Sequence, residues 1–217
     1  MNKVINTLII GLLILTSIII TKGQNTCFVE YKNGDRVAAE IKGFHSMDKN
    51  IKFKNLETGK KEKVLSEELE SITYFASNDT LVFKRVDVKA HNHFGKLKKL
   101  KRPGWVAKVY GTEKMEGYLY CDSDYSTSLN PFGNMRHNEY FTSALAIKIH
   151  SEDYVFYIGQ TEIEGLGGKR AARRLMNKSI KKYLKNYCPE FAEKMNKNSY
   201  EVTELNKMID EYTARCK

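Results

Sequence analysis

The sequence predicts an α+β protein that is mainly antiparallel β, with a small barrel-like unit, further hairpins and a C-terminal helical segment. Short runs of alternating apolar and polar residues, broken by turn residues, fill the chain from Cys27 to Gly159, as half-buried strands require. After Gly165-Leu166-Gly167-Gly168 the apolar spacing changes to that of a helix. The chain has 13 Tyr and 10 Phe but only 3 Pro, which indicates a folded chain.

The N-terminal segment has the pattern of a secretory signal peptide. Lys3 precedes an apolar run from Leu8 to Ile20, and Gly23 stands before Gln24. A basic start, a short apolar middle and small residues before the cleavage point are typical of such a peptide. We therefore expect residues 1–23 to be removed and the protein to be exported to the periplasm, the outer envelope or the medium. The alternative is an uncleaved segment that anchors the protein in a membrane.

Residues 24–90 are expected to form the barrel-like unit. Asn33-Gly34 separates two alternating runs and supplies the backbone angles of a tight hairpin. Ser66 to Leu69 has the length of a single helical turn before a further strand. The pattern predicts five short strands with a one-turn helical step before the fifth.

This arrangement resembles the Sm-like and Src-homology-type small barrels. It is also similar, more loosely, to uncharacterised exported proteins of Bacteroidota that open with such a barrel and end in a helical tail. The resemblance covers about a quarter of the chain and depends on Asn33-Gly34-Asp35, the bend at Gly43 and Ser66 to Leu69. It implies a fold but no activity, because small barrels bind peptides, nucleic acids or each other.

Residues 91–164 are expected to form further antiparallel hairpins. Ala90 to Pro103 reads as a polar and basic connection, and Trp105 to Tyr110 pairs with Met115 to Cys121. Phe141 to Ile149 and Tyr154 to Ile158 make another hairpin. Asp122 to Glu139, which is rich in Ser, Asn and Gly, is predicted to be the least structured interval.

Residues 165–217 are expected to be helical. Seven apolar residues recur at helical spacing and predict one buried face: Ala172, Leu175, Met176, Ile180, Tyr183, Leu184 and Tyr187. Five cations fall within a narrow arc on the other side: Arg170, Arg174, Lys178, Lys181 and Lys185. Pro189 suits the first turn of a short following helix.

Four cysteines in an exported chain admit three pairings. Cys188 and Cys216 bracket two short helices, and a bond between them would tie these helices into a hairpin. A Cys27–Cys121 bond follows by elimination. The alternative is that some of these cysteines are buried free thiols.

The charge is segregated along the chain. Removal of Lys3 and Lys22 lowers the formal net charge from +10 to +8. Lys89 to Thr112 and Gly165 to Pro189 contain Lys and Arg but no acid, and the rest of the mature chain is acidic. The helical arc has no acid at a spacing that would allow an ion pair within the helix, so an anionic partner is expected.

No recognised catalytic motif occurs in the chain. His91 and His93 would face the same side of an extended segment and, with Asp122 and Asp124, define an alternative metal-dependent or hydrolytic site. Gly165 to Arg170 matches neither the Walker pattern nor the dinucleotide fingerprint. We expect no cofactor and no resident metal.

The leading functional hypothesis is a non-enzymatic binding or envelope-associated module. Its basic helix would face anionic lipid, an acidic glycan or an acidic protein surface. Nucleic acid is not expected as a partner of an exported protein.

Overall fold

The computed structural model describes residues 26–75, 80–92, 96–129, 135–160 and 168–216, with the backbone alone for 121–129 and 135–143. In these residues, twelve strands precede three α-helices. The described strand ladders are antiparallel except for the one between β12 and β7. The predicted α+β class, mainly antiparallel β with a helical C-terminal segment, is confirmed. The chain divides into a first unit over residues 26–42 and 50–81 and a second over 43–49 and 82–216.

The first unit is an antiparallel sheet with the order β4-β3-β2-β1-β5. Gly34, with φ +93°, allows the tight turn between β1 and β2 that Asn33-Gly34 predicts. A one-turn 3-10 helix over Ser66–Glu68 precedes the fifth strand, as expected. The strands are β1 (Thr26–Tyr31), β2 (Arg36–Glu40), β3 (Asn50–Asn55), β4 (Lys61–Leu65) and β5 (Leu69–Phe75).

The five strands do not close into a barrel. β1 is paired on one edge by β2 and on the other by β5, and β4 lies at the far end of the order, beside β3. Because both edges of β1 are already used, closure would need β4 to pair with β5, and the described residues contain no such ladder. The alternation of residues predicts strands but does not decide closure.

The predicted Cys27–Cys121 disulfide is wrong, because Cys27 is free. Cys27 is a buried free cysteine whose Sγ donates a hydrogen bond to the Ala39 carbonyl oxygen at 3.4 Å. With Val29 it lies on the inner face of β1, in the core of the first unit. An even number of cysteines does not force all of them to pair, and here burial keeps a thiol reduced. The side chain of Cys121 lies outside the described residues.

The second unit has the strand order β6-β9-β10-β11-β12-β7-β8. A parallel ladder joins β12 to β7. The segment before β3 belongs here, since the Ser46 hydroxyl donates to the Trp105 carbonyl oxygen at 2.9 Å. The strands are β6 (Thr80–Val86), β7 (Val88–His91), β8 (Leu97–Lys99), β9 (Gly104–Gly111), β10 (Met115–Leu129), β11 (Met135–Ile149) and β12 (Val155–Gln160).

The interval predicted to be least structured is mostly strand. β10 and β11 pair without a break from Met115 opposite Ile149 to Leu129 opposite Met135. Ser, Asn and Gly suggested a loop, but Tyr and Thr in the same interval favour extended backbone. The Ser and Asn residues of 122–129 and 135–139 therefore lie within paired strands.

Three helices complete the second unit: α1 (Gly168–Leu184), α2 (Pro189–Lys194) and α3 (Leu205–Arg215). α1 packs against β12 and α3 against β10, and their buried residues share one core with Met115, Ile147 and Phe156. A Cβ at Gly117 would lie 2.9 Å from side-chain atoms of Leu205 and Ile209, so glycine lets α3 approach the sheet closely. No helix in the described ranges is both long enough and apolar enough to cross a membrane.

Candidate functional site

The exposed side of α1 carries the candidate site. Met176, Ile180, Tyr183 and Leu184 pack in the core of the second unit, and Ala172 and Asn177 of the same helix are also buried. This contact fixes the rotation of the helix and directs the opposite side to solvent. We call the exposed cations there the cationic face: Arg170, Arg174, Lys178, Lys181, Lys182 and Lys185.

Leu175 departs from the predicted apolar stripe. Its side chain is 55% exposed, although it was expected to pack with Met176 and Leu184. At 100° per residue, Leu175 falls on the far edge of the stripe, beside the exposed side of the helix. Tyr187, at the other end of the stripe, is half-buried.

Most of the cationic face is electrostatically unpaired. Within the described part of the chain, no acidic side chain forms an ion pair with any of its six members. Lys181 donates from Nζ to the Met195 carbonyl oxygen at 2.7 Å. Arg173, which lies outside the face, is the helix cation that meets Glu201 and Asn198. The five other members of the face are therefore available to an external anion.

β7 and β8 bring the other cation-only stretch, Lys89 to Thr112, beside α1. The His91 ring on β7 contacts the Phe156 ring edge-on, with centroids 5.0 Å apart. Phe156 in turn stacks on Tyr183 of α1 at 4.0 Å. Burial lowers the pKa of His91, and the positive charge of neighbouring Lys182 lowers it further. The first and second cation-only stretches thus adjoin.

β8 itself is exposed and basic. It pairs with β7 so that His91 lies opposite Leu97 and Lys89 opposite Lys99. Lys99 is paired with Asp87, and Lys89 lies over the Tyr154 ring, with Nζ 3.5 Å from its centroid. Three further cations around this strand are exposed: Lys96, Lys98 and Lys101.

A chain of tyrosine hydroxyls lies beneath this region. Tyr183 donates to the Tyr154 hydroxyl at 3.4 Å, and the Tyr154 and Tyr187 hydroxyls are 3.0 Å apart. Tyr187 donates to the Glu152 carboxylate at 2.6 Å. Burial, and then hydrogen bonding, raises the pKa of Tyr183 and of Tyr187. Tyr183 and Tyr187 stay protonated at neutral pH, and their hydrogen bonds to Tyr154 connect α1 and the turn after it to the segment before β12.

No protein-family model, curated protein or solved structure matches this chain. The resemblance to small barrels and to exported Bacteroidota proteins stays a prediction. The function must therefore be argued from the geometry of the chain itself.

The alternative metal-dependent site gains no support from the described residues. His91 packs on Phe156, His93 lies outside the described residues, and so do the side chains of Asp122 and Asp124. The backbones of Asp122 and Asp124 pair with Thr142 and Tyr140 in the β10–β11 hairpin. Throughout the described ranges, no group of three His, Cys, Asp or Glu is arranged to hold a metal ion.

The predicted Cys188–Cys216 bond is confirmed. The two Cα atoms lie 5.7 Å apart, and the bond joins the start of α2 to the end of α3. Nearby, an open polar cleft of about 360 Å³ is lined by residues that include Lys194, Tyr200 and Glu211. Glu211 accepts a hydrogen bond from the Tyr200 hydroxyl at 2.9 Å and lies 3.5 Å from the Arg215 guanidinium.

Two features of the site were missed from the sequence. Lys182 belongs to the cationic face, and its position four residues after Lys178 would have revealed it. The approach of β7 and β8 to α1 had no sequence signal, because these elements are distant in the chain and are brought together by the contacts of His91 and Tyr183 with Phe156.

Proposed function

We propose that this protein is an exported, non-enzymatic binding module that uses the cationic face of α1 to bind an anionic surface. The observation that supports the proposal is the exposure of six cations on one side of a helix whose other side is buried. An ordinary solvated helix intersperses acids that neutralise its cations, and the described residues provide none here.

The energetics favour a surface with many negative charges over a single anion. A basic residue close to an anionic surface contributes about 1 kcal/mol, and screening limits this range to about 8 Å at physiological ionic strength. One small anion would reach only two or three of the six cations, whereas an extended surface meets all of them. Binding is therefore expected to weaken as salt is added.

Export is supported by two features of the chain. The signal-like pattern over residues 1–23 lies outside the described residues and is a sequence argument. The Cys188–Cys216 disulfide suits an oxidising compartment. An exported protein meets anionic head groups, glycans and acidic proteins rather than cytoplasmic nucleic acid.

The proposal is tested by reversing three charges of the face together, Arg174→Glu, Lys178→Glu and Lys185→Glu. Sedimentation with vesicles of equal parts phosphatidylcholine and phosphatidylglycerol measures binding. We expect affinity to fall by at least about 100-fold, since loss of three attractions of about 1 kcal/mol each already gives that factor.

A matched control reverses three exposed lysines of the first unit, Lys52→Glu, Lys54→Glu and Lys63→Glu. It changes the net charge by the same amount and leaves the cationic face intact, so vesicle binding is expected to persist. Thermal unfolding followed by circular dichroism checks that both variants fold. Equal loss of binding in the two variants, or retained binding in the first, would contradict the proposal.

A further inference from the structure

The cationic face continues onto β8. His91 contacts Phe156, which stacks on Tyr183, and Tyr183 adjoins Lys182 of the face. His91 is also the ladder partner of Leu97 on β8. Cross-strand partners project from the same side of a sheet, so Leu97 projects from the side that α1 covers. By the alternation of a strand, Lys99 projects from the same side as Leu97 and Lys98 from the opposite side, so Leu97, Lys99 and the helix cations border one surface of the second unit.

Two leucines interrupt the cations of this surface. Leu175 on α1 is 55% exposed and Leu97 on β8 is 39% exposed. Leu175 precedes Lys182 by two helical turns and lies on the same flank of α1, which is the flank beside His91. The surface thus combines exposed cations with two partly exposed aliphatic side chains.

We propose that the anionic partner is a phospholipid bilayer, which the cationic face and β8 contact together while Leu175 and Leu97 enter the boundary between head groups and acyl chains. This inference rests on the proposed function and adds the class of partner to it. Phosphates would meet Arg174, Lys178 and Lys182, and the acyl region would receive the leucines.

The leucines favour a bilayer over a soluble polyanion. A glycan or an acidic protein surface needs only the cations, and an exposed leucine gains nothing from contact with sulfate or carboxylate groups. At a bilayer, transfer of an aliphatic side chain out of water is favourable, and basic residues mixed with a few apolar ones are typical of interfacial binding. Short aliphatic anchors beside cations suit a protein that lies on a membrane.

Tryptophan substitutions measure whether the leucines enter the bilayer. Trp105 is the single natural Trp and is fully buried, so it gives a constant background. We expect Leu175→Trp and Leu97→Trp to shift to shorter emission wavelengths with phosphatidylglycerol vesicles and to be quenched by brominated acyl chains. The control Leu56→Trp replaces a leucine of the first unit that is 42% exposed and is expected to show neither effect.

A second measurement separates the contribution of the leucine side chain to vesicle binding from that of the cations. Leu175→Ser keeps every cation and is expected to weaken vesicle binding about fivefold or more, as the loss of a buried aliphatic side chain predicts, while binding to soluble polyphosphate stays unchanged. The charge-reversed variant loses both ligands.

The outcomes distinguish the two proposals. Binding to polyphosphate but not to vesicles, or vesicle binding without quenching at either leucine, overturns the bilayer inference and leaves the binding module standing. Failure of the unmodified protein to bind either ligand overturns both. Quenching of Leu56→Trp equal to that of Leu175→Trp also overturns the inference, because contact would then not be specific to this surface.

Discussion

Tyr183 shows how one side chain can connect a helix to a sheet. Its ring stacks on Phe156 of β12, and its hydroxyl donates to Tyr154. Because the ring is almost fully buried, ionisation of the phenol would place a charge in the core of the second unit. Burial is accordingly the main reason that the pKa of Tyr183 is raised.

This burial predicts a loss of stability at alkaline pH. The folded pKa of Tyr183 lies above the unfolded value of about 10, so the folded state keeps a proton that the unfolded state loses. The stability is fully present below pH of about 10 and falls above it, by up to about 1.4 kcal/mol per pH unit for this tyrosine. Urea unfolding at a series of pH values from neutral to alkaline measures the slope.

Tyr183→Phe is the matched variant for that measurement. It removes the titrating hydroxyl and keeps the ring stack, so we expect a shallower alkaline loss than in the unmodified protein. Part of the slope should remain, since the pKa values of Tyr187 and Tyr200 are also raised by burial and by hydrogen bonds to carboxylates. An unchanged slope in the variant would show that Tyr183 ionises as readily in the folded state as in the unfolded state.

Cys27 and Leu175 show the limits of residue patterns. Cys27 is a free cysteine whose thiol faces its own core, where burial raises its pKa to about 12. Leu175 fits the helical repeat yet is exposed. In both cases the residue type is compatible with two environments, and the neighbouring element decides between them.

At the scale of elements, the helical tail depends on a covalent link. α2 has six residues and α3 has eleven, lengths at which isolated helices are marginal in water. The disulfide joins Cys188 and Cys216 across a separation of 28 residues, and both cysteines belong to the core that the helices share with the sheet. The link limits the freedom of the whole tail in the unfolded chain.

The double variant Cys188→Ala, Cys216→Ala should lower the free energy of unfolding by about 3 to 4 kcal/mol, the loop-closure entropy for a bridge of this span. Urea unfolding with and without reductant measures this loss. Cys27→Ala is the control, because it removes a thiol outside the bridge and should leave the sensitivity to reductant unchanged. Equal stability of the oxidised protein and the double variant would contradict the prediction.

At the scale of the whole molecule, residues of the two cation-only stretches lie next to each other on the surface of the second unit. The two cation-only stretches are separated in sequence by β10, β11 and β12, and the second unit places β7 and β8 beside α1. Like charges repel, so this arrangement costs free energy in the absence of a partner. The proposed anionic surface would relieve that repulsion.

If the protein is exported, the mass of the mature chain should reflect removal of residues 1–23. Intact mass of the protein recovered from its native envelope should correspond to a chain that begins at Gln24. Reduction should raise the mass by about 2 Da, the two hydrogens of a single disulfide, because Cys27 is free. A chain that retains residues 1–23 would contradict cleavage, and an increase of about 4 Da would contradict the free thiol.

The sequence by itself determined most elements of this protein, although it missed β8, which lies in the predicted connection from Ala90 to Pro103, and the strands within residues 122–139. Local alternation, the Asn33-Gly34 turn and the apolar stripe of α1 specify the strands, the first hairpin and a basic amphipathic helix, since these depend on residues close together in the chain. Even the Cys188–Cys216 bond could be predicted, because it closes a short helical segment.

Only the tertiary structure decided what these elements form together. The open sheet of the first unit, the buried thiol of Cys27, the continuous β10–β11 hairpin and the junction of β8 with α1 all depend on contacts between distant segments. Alternation is the same in an open sheet and in a closed barrel, and the charge pattern is the same whether two basic stretches meet or not. Tertiary packing decides between these outcomes, because the burial of a residue depends on contacts with distant segments, whereas periodicity depends only on neighbouring residues.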